Sequence, residues 1–215
     1  MNSLGNLLIL GAGGHGKVVA ETALRTGLWD EIAFLDNDST LNKVIGIPVI
    51  GGFDTYPNHK ETYSSAIVAI GNNHSRLTWL TTLEQAGYKI PVIIHPSSIL
   101  SKFCEIESGT VVLAGVVVNA NARIAKGCIL NTSSTIDHDC VIGNGVHISP
   151  GTNVSGTVTI NDFTWLGVGS KIVNNITIGS YVIVAAGAVV INDIPDSVMV
   201  AGVPAQIKKC FGDET

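Results

Sequence analysis

The chain is poor in charge. Asp, Glu, Lys and Arg make up 13% of its 215 residues, and the formal net charge is -5. Without a basic surplus it has little to grip a phosphate backbone or an anionic bilayer, so neither nucleic acid nor a membrane is expected as partner. Aromatic residues are scarce as well, at 6%, which leaves the core to aliphatic side chains. Long hydrophobic runs are missing: stretches such as YVIVAAGAVVI over 181–191 are too short to cross a bilayer. The opening residues, MNSLGNLLILGAGGHG, have no basic n-region and carry glycines where a cleavage site would stand. They read as a first strand rather than a signal peptide, and a cytoplasmic protein is expected. The four cysteines (Cys104, Cys128, Cys140, Cys210) form no CxxC pair, so zinc and dithiol chemistry have no motif. The spacing of Cys104, Cys128 and Cys140 reads as buried free thiols.

What the sequence does have is aliphatic bulk and glycine, with 46% hydrophobic residues and 24 glycines. That mix predicts a compact, turn-rich, β-rich protein. Residues 1–92 alternate strand-like and helix-like segments. NLLILG, EIAFLD, AIVAIG and KIPVII read as strands, and GKVVAETALRTG and HSRLTWLTTLEQAG as helices that stop at glycines. Strands alternating with helices predict a parallel, Rossmann-like α/β domain.

From about residue 93 the period changes. Stepping by six from Leu100 to Val190 lands sixteen times in succession on Ile, Leu or Val. The residue four places after each is mostly small or slim. No helix has this period. A six-residue step is the hexapeptide repeat of a β-helix, so residues 93–215 are expected to be an all-β parallel β-helix domain with a C-terminal tail.

The hexads, VMVAGVPAQIKK after them, and GAGGHG, FLDND and AIGNN before them together resemble one family. It is the bacterial sugar O/N-acetyltransferases with a left-handed β-helix, which includes UDP-4-amino-sugar N-acetyltransferases of the bacillosamine pathway, perosamine N-acetyltransferases and sialic acid O-acetyltransferases. The resemblance implies triangular coils of eighteen residues. Sixteen hexads then stack to a prism about 25 Å tall, at about 4.8 Å between strands. It also implies acetyl-CoA as co-substrate, no metal, a nucleotide-sugar acceptor held by the first domain, and a homotrimer with active sites in the grooves between neighbours.

Eighteen-residue arithmetic places the candidate residues. His138 falls at a corner, in a recess between Ala120 and Gly156. Histidine suits general-base work near neutral pH, and a flanking carboxylate would orient it. Both Asp137 and Asp139 are candidates from the pattern; the resemblance matches His138 with Asp139. His147 falls on an outer face, stacked with Trp165 and Ile129 in an exposed column. The resemblance gives His147 and Trp165, and the backbone amides of Val168 and Ala186, to acetyl-CoA. GAGGHG fits G-x-G-x-x-G after a strand and before a helix, a phosphate-binding pattern. Asp36 stands at the end of the second strand, where dinucleotide enzymes hold a ribose. The resemblance turns this pocket to a nucleotide-sugar: Gly13, Gly14 and His15 at the phosphates, Asp36 and Asn37 at base or ribose, Gly71 nearby.

The expected activity is transfer of acetyl from acetyl-CoA to the 4-amino group of a UDP-linked 4-amino-4,6-dideoxy or 2,4,6-trideoxy sugar. His138 would act as base in a direct transfer. O-acetylation of a sialic acid, a non-catalytic nucleotide-sugar-binding module and a nicotinamide oxidoreductase are the alternatives.

Overall fold

The computed structural model describes residues 3–212. The chain divides into two compact units, Met1–Pro96 and Ser97–Thr215. In the first, three parallel strands lie in the order Ile32–Leu35, Leu7–Leu10, Ser65–Val68. All twelve of their residues are buried, and all but Ser65 are apolar, as strands covered on both faces should be. Helix α1, Gly14–Thr26, follows the central strand and ends at Gly27, whose φ of 63° is a left-handed C-cap. Helix α2, Asn73–Gln85, starts at Asn72, whose side chain accepts the Ser75 N–H.

Two pieces of this unit differ from expectation. KIPVII yields only the short strand Ile93–Ile94, with an isolated bridge from Lys89 to Ser65. Pro91 sits between them and has no N–H to give a ladder. The segment between the second and third sheet strands holds a small hairpin, Lys43–Val44 with Ile47–Pro48, and a 3-10 helix, Phe53–His59. Their apolar residues are too few and too scattered to show a period.

The second unit follows the hexads. Sixteen two-residue strands run from Ile99–Leu100 to Val189–Val190, each ending on one of the six-step anchors. Every one of them pairs in parallel with the strand eighteen residues away, which builds three sheets from one repeating coil. Anchors from Val112 onward are buried, whereas Leu100 and Ile106 are partly exposed. Their strands pair on one side only, with the coil that follows. The chain then forms an antiparallel pair, Val198–Ala201 with Gln206–Cys210.

The small inward residues have a job besides fitting. Thr110, Thr152 and Thr164 donate their hydroxyls to the carbonyls of Ala125, Gly167 and Gly179, each fifteen residues on. Cys128 and Cys140 fill the same slot and donate S–H to Gly143 and Ser155. They are free, buried thiols, but Cys104 is only half-buried, for the same reason as Leu100. Ser134 occupies an equivalent slot, fully buried, and its Oγ has no hydrogen-bond partner among the described residues.

A buried hydroxyl that has lost water without gaining a partner opposes folding. Ser134→Ala should therefore raise the urea unfolding midpoint, by about 1 kcal/mol of stability. A fall in the midpoint would show that the hydroxyl is satisfied.

Candidate active site

His138 lies at the corner formed by residues 137–140, and the corner geometry pairs its ring with a carboxylate. Asp139 has a φ of 59°, a left-handed conformation that Asp tolerates better than most residues. Its Oδ2 lies 2.8 Å from His138 Nδ1. A carboxylate only accepts, so Nδ1 carries the hydrogen and Nε2 is left as the basic atom. Asp137 works on the backbone instead, its Oδ1 accepting the His138 N–H at 2.8 Å. Of the two candidate carboxylates, the one paired with the ring is Asp139.

The electrostatics agree. The hydrogen bond His138 donates to Asp139 is the main influence raising the His138 pKa above its ordinary value, with the charge on Asp137 adding to it. Asp139 is held below the usual carboxylate range, first by a hydrogen bond from Asn121 and then by His138. The expected recess is shallower than the stacking arithmetic suggested: 58% of the His138 side chain is exposed. Gly156 in the coil above is what admits the ring, because a Cβ there would lie 2.6 Å from its Cε1 and Nε2.

His147 stands on a flat face one sheet further round. Its ring stacks on Trp165, centroids 5.9 Å apart and planes 14° from parallel. Trp165 Nε1 donates to Ser149 Oγ at 2.7 Å, which fixes the indole. Asn131 Oδ1 accepts the Thr132 N–H, so its amide nitrogen faces His147 Nε2 at 3.3 Å. The expected column is exposed only in part. Trp165 is open, His147 half-buried and Ile129 completely buried. Val168 and Ala186 stack eighteen apart at the next corner, both exposed, and neither N–H donates a hydrogen bond among the described residues.

Around one coil the order is Thr135–Ile136, corner 137–140, Val141–Ile142, corner 143–146, His147–Ile148, each strand in a different sheet. The His138 corner is therefore the vertex opposite the His147 face. Within one chain the body of the prism separates the two imidazoles.

In the first unit the glycines of GAGGHG divide into two kinds. Gly11 has a φ of 105°, and a Cβ on Gly16 would lie 2.0 Å from the Gly11 carbonyl oxygen. Both are demanded by the strand-to-helix turn. A Cβ on Gly13, Gly14 or Gly71 would meet nothing within 4 Å. Gly13 and Gly14 keep backbone accessible where the fold does not require it, at the start of α1, which has no side-chain cap and no acidic residue in its first turn, and Gly71 does so just before α2. His15 is largely buried at the start of α1, and among the described residues its Nε2 has no hydrogen-bond partner. Burial, and then the charge of Arg76, lower its pKa to about 4, so the ring is neutral.

Asp36 has a structural duty: Oδ2 accepts the Ala12 N–H at 2.7 Å and Oδ1 the Asp38 N–H at 2.9 Å. It thereby ties the glycine loop to the end of the second strand. Asn37 Oδ1 accepts the Phe53 N–H. Both line a cleft of about 660 Å³ with Asp54, Phe53 and Trp79, where Phe53 meets Trp79 edge to face. Gly13, Gly14, His15 and Gly71 lie outside its lining.

Several residues of these sites escaped the sequence reading: Asn119, Asn121, Asn131, Ser149, Arg76 and Trp79. Asn119 and Asn121 were within reach, since each is eighteen residues before Asp137 or Asp139. Arg76 and Trp79 lie on α2 and gave no signal of their own.

Comparison with known proteins agrees with both halves. The PglD N-terminal domain matches residues 6–83. UDP-N-acetylbacillosamine N-acetyltransferase from Bacillus subtilis (strain 168) is 34% identical over 125 residues, 51% of this chain and 51% of that protein. The match thus spans about half the length of that curated relative. The acetyltransferase domain of PglB from Neisseria gonorrhoeae FA1090, solved with acetyl coenzyme A, is 42% identical with a TM-score of 0.91, covering 96% of this chain and 100% of that one. PerB from Caulobacter crescentus, solved with CoA and GDP-perosamine, is 37% identical with a TM-score of 0.91, covering 97% and 100%. A PglD-type N-terminal domain followed by hexapeptide coils, matched over nearly the whole chain by these solved proteins, means that this chain belongs to the sugar N-acetyltransferase family built on a left-handed β-helix.

Proposed function

We propose that this protein transfers the acetyl group of acetyl-CoA to the 4-amino group of a UDP-linked 4-amino-4,6-dideoxy or 2,4,6-trideoxy sugar. The observation that carries the reading is the His138–Asp139 pair, an exposed imidazole whose basic nitrogen is set by a carboxylate. The amine attacks the thioester carbonyl as its free base. As the C–N bond forms, His138 Nε2 takes a proton from the nitrogen, and Asp139 stabilises the imidazolium. A tetrahedral oxyanion results, and a backbone N–H of the Val168 or Ala186 kind would stabilise it. The C–S bond then breaks, the thiolate of coenzyme A leaves, and the imidazolium returns the proton to sulfur. No acyl-enzyme is involved.

His147 and Trp165 contact acetyl-CoA near its thioester. Gly13, Gly14 and the neutral His15 take the phosphates, which the uncapped start of α1 favours. Asp36, Asn37 and the aromatic cleft take ribose and base, with Gly71 beside them. We propose a homotrimer, as the family resemblance implies, and the vertex geometry supports neighbouring copies, because one thioester reaches a His138 and a His147 only when they belong to different chains. We place the enzyme in the cytoplasm, where acetyl-CoA and nucleotide-sugars are found; among the described residues no helix is long and apolar enough to cross a membrane.

His138→Ala should lower kcat by about 100-fold or more, the usual worth of a general base, with both KM values little changed. Turnover of free or CMP-linked sialic acid in place of the amino sugar would overturn the acceptor assignment. The protonated ring cannot act, so kcat should rise with pH through a value above the ordinary 6.5 of imidazole. A limb below 6.5 in the kcat profile would contradict the Asp139 pairing. Gly14→Val should leave the melting temperature unchanged and raise KM for the nucleotide-sugar about tenfold, equivalent to about 1.4 kcal/mol, without affecting KM for acetyl-CoA. An unaltered nucleotide-sugar KM would remove the glycine loop from the binding site.

A further inference from the structure

We infer that Asn121 is a positioning residue for this reaction, acting from the coil beneath through Asp139 on the His138 ring. The inference rests on His138 as the base and names what holds it. Asn121 Nδ2 donates to Asp139 Oδ1 at 2.7 Å, while Asp139 Oδ2 accepts from His138 Nδ1 at 2.8 Å. The two oxygens of one carboxylate are thus held from opposite sides. Rotation of that carboxylate breaks both contacts, so the amide below sets the direction in which the imidazole is gripped.

The contact is more than turn chemistry. Asn121 has a φ of 62°, stacked on Asp139 at 59°, with Thr157 at 59° and Asn175 at 61° above. All four occupy the same left-handed corner position. Glycine would serve that backbone at least as well, yet it has no donor. Asn175 satisfies the same turn and makes no side-chain hydrogen bond among the described residues. An asparagine in this position therefore does not bind a carboxylate by default.

A parallel contact keeps the backbone in place. Asn119 Nδ2 donates to Asp137 Oδ1 at 2.8 Å, the oxygen that also accepts the His138 N–H. One coil thus clamps both flanks of the histidine, Asn119 through the main chain and Asn121 through the ring. The charged and titratable groups facing His138 are Asp137 and Asp139 on its own corner. The coil below presents the neutral amides of Asn119 and Asn121, and the coil above Gly156 and Thr157. The first influence lowering the Asp139 pKa is the Asn121 hydrogen bond, in keeping with an anion oriented toward the ring.

The test is Asn121→Gly in the full-length protein, a change that suits the left-handed backbone and removes only the amide. Asn175→Gly is the control for the turn itself. An NMR titration of His138 in the absence of substrates should show its pKa falling toward the ordinary imidazole value in Asn121→Gly and unchanged in Asn175→Gly. With substrates, kcat should drop about tenfold, the worth of one hydrogen bond to a charged group, with both KM values unaltered. The acid limb of the kcat profile should move to lower pH. A His138 titration identical to that of the native protein overturns the inference, even if kcat or the melting temperature falls, since a merely structural role predicts that pattern. Full turnover by His138→Ala would instead remove the base assignment, and the titration would still decide whether Asn121 acts on the ring.

Discussion

Parallel stacking of eighteen-residue coils governs this molecule. Each hexad forms one short strand, each interior strand hydrogen-bonds to the strands a full coil before and after it, and no residue there can leave its column without breaking a ladder. Two-residue strands would be unstable singly; three sheets of five or more of them, sharing one aliphatic interior, are not. The scarcity of charge follows from this geometry. Inward slots accept only aliphatic or small residues, and several of the polar ones reach a carbonyl in the next coil, as Thr152 and Cys140 do.

Stacking also decides where chemistry can be built. An imidazole placed at a corner is met from above and below by whatever the neighbouring coils carry there. At His138 the coil above offers a glycine, which leaves space for the ring, and the coil below offers two amides, which hold the flanking carboxylates. At His147 the neighbour is an indole, which gives the face a flat aromatic surface. The Asn121 amide holds Asp139 and keeps its carboxyl below the usual range, and neither amide adds a charge beside the His138 ring.

The N-terminal unit uses the other familiar device of α/β folds, a glycine turn from a buried strand into a helix. Its glycines are not equivalent. Gly11 and Gly16 serve the close approach of loop and helix, whereas Gly13 and Gly14 have open space around them. Asp36 also differs from its motif assignment, because both carboxylate oxygens already hold backbone amides of the turn region. Any ribose contact it makes is in addition to that structural duty.

The sequence by itself determined the β-helix and the parallel α/β unit, and it singled out His138 as the candidate base. Six-fold spacing of Ile, Leu and Val has a single economical outcome, and the eighteen-residue offset follows once three hexads close a coil. The same offset correctly stacked His147 on Trp165 and His138 beneath Gly156. Depth was not legible: Ile129 belongs to the same outer column as Trp165 yet is fully buried, while His138 stands further out than a recess would allow. Only the tertiary structure decided which aspartate grips the ring, because Asp137 and Asp139 are equally close in sequence. The choice rests on the left-handed backbone at Asp139 and on an amide one coil below, and side-chain direction at a corner is set by those three-dimensional neighbours.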